Sequence, residues 1–192
     1  MGFLKRILRN GVSDDTLREV AEGSFDTLSD EELQTHMGIN CYGVFDLTDA
    51  IRPSYDLQVV PAQGYRHDCY RDEQSQGNVP VLMAAVSGEM LFEAFMDLID
   101  PLGNVVDVVL ETSHNRDSRG HTDLYREHID MPVLKSILLE FEDLLLNDGC
   151  TGIAVINPAK RQEVQLDEHK LLIMYGQPLK PFESALIDGD VY

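Results

Sequence analysis

Three of the six histidines fall within residues 113–130, "SHNRDSRGHTDLYREHID", at His114, His121 and His128. Imidazoles at regular spacing could hold a transition metal, and Asp117 and Asp123 in the same stretch could add a carboxylate. A spacing of seven would align the three rings on a helix, but Gly120 and its Asn, Asp and Ser neighbours disfavour helix there. A hairpin fits better: a strand to about residue 114, a turn over "NRDSRG", and a returning strand. His114 and His121 then approach each other at the tip, while His128 lies ~20 Å or more away along the strand. One ion cannot take all three. His114 and His121, with Asp117 or Asp123, remain as a weak metal candidate. Arg116 and Arg119 in the same turn oppose a cation, and these residues equally suit an exposed hydrogen-bonding turn.

The triplet His67-Asp68-Cys69, in the polar stretch 64–78, offers a thiol beside an imidazole for nucleophilic catalysis. Sequence neighbours rarely face each other in the geometry such a pair needs, and the alternative is a polar loop with an idle thiol. The acidic clusters Asp14-Asp15, Asp30-Glu31-Glu32, Glu140-Glu142-Asp143 and Asp167-Glu168 read as solvated faces or as charges at helix N-termini. None has calcium-loop spacing. The chain contains no GxGxxG, no GxxxxGK[ST] and no GxSxG. Cys41, Cys69 and Cys150 form no CxxC pair, so they read as reduced thiols of a cytosolic protein, and a thiolate-rich zinc site is excluded. No resident metal or cofactor is expected.

Charge sets the next limit. The 192 residues carry 34 acidic against 15 basic side chains, a net charge of −19. Nucleic-acid binding depends on replacing counterions with Lys and Arg, so a polyanion would be repelled. Solubility, a cationic partner or a metal ion suits the charge better. The apolar stretch 79–99 is broken by Ser87-Gly88-Glu89 and contains Glu93 and Asp97, so it reads as a strand and a helix and not as a membrane span. The N-terminus has no apolar stretch of signal-peptide length.

The elements that must position these residues are legible in part. Phe3, Leu4, Ile7 and Leu8, interleaved with Lys5, Arg6 and Arg9, predict a short amphipathic helix ending at Asn10-Gly11. It docks on its own acidic domain or, alternatively, on a membrane surface or partner through residues 3–9. A second helix is expected over 13–23, and Ser29-Asp30-Glu31-Glu32 is a capping box for a third. "CYGVFDL" and "LQVVPAQ" are candidate strands, and 64–78 a polar loop. Then follow strand 80–87, helix 89–99, strand 105–114, strand 121–129, helix 132–146 and strand 151–156. That order, βαββαβ, predicts an α+β fold with a ferredoxin-like, split-βαβ core over residues 79–192. Residues 1–78 are then an N-terminal extension packed on the core, and residues 163–187 add a strand and a final helix.

Helix 89–99 is apolar over most of its circumference, which buries it on more than one side. Met90, Phe92, Phe95 and Met96, with Phe3, Leu4, Ile7 and Leu8, are the candidate interface. The composition and motifs point to an acidic cytosolic binding or regulatory module that recognises a protein partner or a second copy of itself. The alternative is a small metal-dependent or Cys/His hydrolase, with its site at the 113–123 hairpin tip and the 64–78 loop.

Overall fold

The computed structural model describes residues 28–54, 59–71, 78–114 and 122–192. The two helices expected within residues 1–27, with Phe3, Leu4, Ile7 and Leu8, lie outside the described residues, as do His121 and Asp117. Helix α1 (Asp30–Met37) opens as its sequence requires. The Ser29 hydroxyl oxygen accepts from the Glu32 N–H, and the Glu32 carboxylate accepts in return from the Ser29 N–H. Strands β1 (Cys41–Tyr42) and β2 (Phe45–Asp46) form a minimal hairpin about Gly43.

Seven strands build the main sheet: β3 (Gly64–Arg71), β4 (Asn78–Ala85), β5 (Val105–Thr112), β6 (Thr122–Asp130), β7 (Thr151–Asn157), β8 (Gln162–Leu166) and β9 (Leu172–Tyr175). Their order is β3-β4-β9-β8-β7-β5-β6, and every neighbouring pair is antiparallel. Helix α2 (Gly88–Ile99) joins β4 to β5. Helices α3 (Met131–Glu140) and α4 (Glu142–Asn147) join β6 to β7, and α5 (Lys180–Asp188) follows β9.

The fold is therefore mixed α+β, but the strand neighbours do not confirm the ferredoxin-like arrangement. In a split βαβ unit the two connected strands run parallel with one strand between them. The unit β6–α3–α4–β7 meets that description, with β5 between its strands. The unit β4–α2–β5 does not, because β9, β8 and β7 all lie between. The physical reason is the short connections at 158–161 and 167–171. They make β7–β8–β9 an antiparallel meander, and the meander fills the centre of the sheet.

One sheet face, with Leu82, Val108, Val155, Val164 and Met174, packs against Leu91 and Phe95 of α2, Leu138 of α3, Leu145 of α4 and Phe182 of α5. Burying side chains of this size stabilises the fold by about 1.5–3 kcal/mol each. A second cluster, Val79, Val109, Ala154 and Ile156 with Tyr70 and Tyr175, is made of strand residues on the opposite face.

Three local expectations change. The stretch 64–71 is not a polar loop but the edge strand β3, paired along its whole length with β4. Residues 59–63 of "LQVVPAQ" form no strand. The long helix 132–146 breaks at Phe141, whose backbone (φ −114°, ψ 16°) leaves the helical range. Phe92 and Phe95 are buried, and Met90 and Met96 pack half-buried against the same core, so the apolar girdle of α2 is satisfied within the chain. Among the described residues, no helix is long and apolar enough to cross a membrane.

Candidate functional site

Antiparallel pairing of β5 with β7 places Thr112 opposite Thr151, so the residues after one strand meet those before the other. Ser113 N–H donates to the Cys150 carbonyl (2.9 Å) and ties the two segments together. Just beyond, His114 Nε2 lies 2.7 Å from Asp148 Oδ2. The Asp148 carboxylate is held from two more directions. Its Oδ1 accepts the Cys150 N–H (3.0 Å) and its Oδ2 accepts the Thr151 hydroxyl. Ligand atoms of His114, Asp148 and Cys150 all lie within 4.8 Å of one another, making them the group among the described residues that could hold a metal ion.

The electrostatics of this corner follow from the same contacts. Partial burial pushes the Asp148 carboxyl up, but hydrogen bonds from Thr151, His114 and the Cys150 N–H outweigh it and bring the group down to about 2. Asp148 is therefore ionised at neutral pH. Lys170 is buried nearby, and its Nζ donates to the Thr151 carbonyl (2.9 Å). Burial lowers the Lys170 pKa, while the charges of Asp148, Asp167 and Glu168 act in the opposite sense.

The other expected site residues go elsewhere. Asp123 pairs in register with Glu111, and its carboxylate accepts from the Tyr125 hydroxyl (2.7 Å), so it does not join His114. His128 has φ 56° at the bulged, far end of the hairpin, where its N–H donates to Asp107. His67 Nε2 lies 3.2 Å from Glu183 Oε1 on α5, an oxygen that also accepts from the Tyr65 hydroxyl. Cys69 is exposed on β3. β3 and β5 are five strand positions apart, which separates His67 and Cys69 from His114 by roughly 24 Å of sheet. The two halves of the hydrolase arrangement do not converge among the described residues.

Sequence reasoning misses Asp148 altogether and takes Cys150 only as a thiol outside any CxxC pair. The available signal was the Asp-x-Cys spacing directly before a strand. It acquires meaning only when β7 is placed beside β5.

A separate surface feature lies on α3 and α4. Val133 and Ile137 are exposed one turn apart on the same side of α3, and Phe141, at the break, and Leu144 of α4 are exposed beyond it, as is Leu139. Leu134, Leu138 and Leu145, one residue along in each case, are buried. Part of the apolar arc of this segment is uncovered, and Glu140 and Asp143, on either side of Phe141 in the sequence, are exposed as well. A third feature is Glu163, wholly buried at the centre of the sheet face opposite the helices.

No protein-family model, no curated protein and no solved structure matches this chain.

Proposed function

We propose that the protein is a cytosolic binding module whose α3–α4 surface receives a cationic, amphipathic helical segment of a protein partner. The observation that carries this reading is the exposed stripe Val133, Ile137, Phe141 and Leu144. Four large apolar side chains exposed in a row are the sort of patch that marks an interaction surface. Val133 and Ile137, one turn apart on α3, with Phe141 and Leu144 beyond the break, offer an apolar surface for a partner helix. Charge selects among occupants. Glu140 and Asp143 are exposed in the same segment of a chain of net charge −19, which steers cations toward it and makes a second copy of the chain a poor occupant. The free state of Cys41, Cys69 and Cys150 suits a reducing compartment.

The experiment is a calorimetric titration with a synthetic helical peptide bearing Leu and Phe on one side and Lys and Arg on the other. Binding should weaken with salt and fall at least tenfold in Ile137→Asp and Phe141→Asp, roughly 1.4 kcal/mol or more. Equal binding by wild type and both variants would overturn the reading. A concentration-dependent dimer abolished by the same two variants would assign the surface to a second copy. Tighter peptide binding after Lys5, Arg6 and Arg9 are changed to Glu would assign it to the N-terminal segment of the chain itself.

A metal-dependent activity is the second reading, favoured by the convergence of His114 with Asp148 and Cys150.

A further inference from the structure

We infer that His114, Asp148 and Cys150 form a zinc(II) site with three protein ligands and a fourth position open to solvent. The inference supplies the metal that the second reading requires, and it concerns binding alone, so it stands or falls without any activity.

Three observations carry it. The first is convergence. One nitrogen, one oxygen and one sulfur donor, drawn from the end of β5 and from the turn before β7, come within 4.8 Å of one another. The second is the donor set. Calcium and magnesium take oxygen ligands, and a thiolate beside an imidazole rejects them. Zinc accepts Cys, His and carboxylate together, in tetrahedral geometry.

The third is ligand orientation. The Asp148 carboxylate is fixed by the Cys150 N–H and the Thr151 hydroxyl, the outer hydrogen bonds that aim a ligating carboxylate. Ser113 N–H on the Cys150 carbonyl holds the two segments in register, so the sulfur and the imidazole are presented from a common frame.

Coordination requires the donors, which stand within 4.8 Å of one another, to adjust onto one ion. Ligands ~2.0–2.1 Å from a tetrahedral zinc stand ~3.3 Å apart, whereas His114 Nε2 and Asp148 Oδ2 are now 2.7 Å apart. The imidazole, with 61% of its side chain exposed, can retreat by that difference while Asp148 stays anchored. Binding is proton-balanced. Zn²⁺ takes the Cys150 sulfur as thiolate and one proton goes to solvent. The imidazole coordinates through one nitrogen and keeps its proton on the other. The exposed side of His114 leaves the remaining coordination position to water or a small exogenous donor.

The test uses the full-length protein, stripped of metal with chelator and titrated separately with zinc(II) and with cobalt(II). One ion per chain is expected, together with a thiolate-to-cobalt charge-transfer band that is absent from Cys150→Ser. His114→Ala and Cys150→Ser should each lower zinc affinity by more than the ~10–100-fold that loss of an outer hydrogen bond costs. Circular dichroism in chelator establishes that both variants are folded. Because Cys150→Ser is nearly isosteric, it serves if His114→Ala fails that check. Absence of stoichiometric binding, absence of the thiolate band, or wild-type affinity in both variants overturns the inference. Ile137→Asp should bind zinc as wild type does, which separates this site from the partner surface.

Discussion

Glu163 lies directly across the β8–β9 ladder from Tyr175, both on the sheet face turned away from the helices. The Glu163 Oε1 accepts from the Gln165 amide (2.7 Å), and its Oε2 is buried without a hydrogen-bond partner among the described residues. Burial pushes this carboxyl up to about 8. The Gln165 bond lowers it and the Glu111 charge raises it. Burial likewise raises Tyr175, and the charge of Glu163 adds to that effect. At pH 7 Glu163 is accordingly a neutral acid, which is how a sheet interior tolerates it.

That protonation state sets a pH dependence. The native carboxyl holds its proton to about 8, whereas the unfolded one releases it near 4.5. The stability contributed by the bound proton is complete below pH 4.5 and is lost as pH rises through 8, at up to ~1.4 kcal/mol per pH step of one. Denaturant midpoints measured from pH 5 to 9 should decline for wild type, and this component of the decline should vanish in Glu163→Gln. Parallel curves for the two proteins would show that Glu163 is ionised in the native state.

Ile137 and Leu138 are adjacent yet face opposite environments, 39% and 3% exposed. Leu138→Ala should cost about 2–5 kcal/mol, since it opens a cavity beneath the sheet. Ile137→Ala should cost under ~1 kcal/mol, because the side chain already meets water. Chemical denaturation of both variants checks the difference. Similar losses would mean that the stripe is covered and that the proposed docking surface is not available.

The sequence pattern was legible wherever apolar residues ran in strand or helix period. Strands β4, β5, β7 and β9, and helix α2, fall close to their expected positions. It failed at β8, "QEVQL", a strand with every residue buried in the middle of the sheet, where an apolar run is the rule. Gln162 reaches the Pro178 carbonyl, Gln165 reaches Glu163, and a protonated Glu163 needs no counterion, so polar letters satisfy buried positions. It failed again at β3, "GYRHDCYR", because an edge strand with a solvated side can be polar throughout. Missing β8 hid the site. An interleaved ferredoxin-like order puts two strands between 105–114 and 151–156, whereas the real order makes them neighbours and brings His114 to Asp148 and Cys150.

Gly176 turns the chain out of β9 with φ 102°, and a Cβ there would collide with the Arg161 carbonyl, which is backbone and cannot rotate away. Gly176→Ala should therefore lose more than ~1 kcal/mol and lower the melting temperature by several degrees. Gly38→Ala is the contrasting case, since Gly38 has negative φ (−86°) and ends the exposed helix α1. It should melt within about a degree or two of wild type. A Gly176→Ala variant that melts with wild type would mean the β9 exit adopts another path.

The acid limb should report on Asp148. Its native carboxyl titrates near 2 against an ordinary 3.8, so the stability it contributes is present above 3.8 and lost as pH falls toward 2. Holding the carboxylate that far below its ordinary value contributes roughly 2 kcal/mol at neutral pH. In chelator, where metal makes no contribution, Asp148→Asn should be less stable than wild type by about that amount at pH 6, and the gap should close by pH 2. His114→Ala should show a smaller deficit with the same closure, because the Thr151 and Cys150 bonds to Asp148 survive it. A gap that stays constant from pH 6 to pH 2 would mean that the variants perturb packing rather than the ionised carboxylate. The hydrogen bonds that fix Asp148 would then not be what holds this corner of the sheet together.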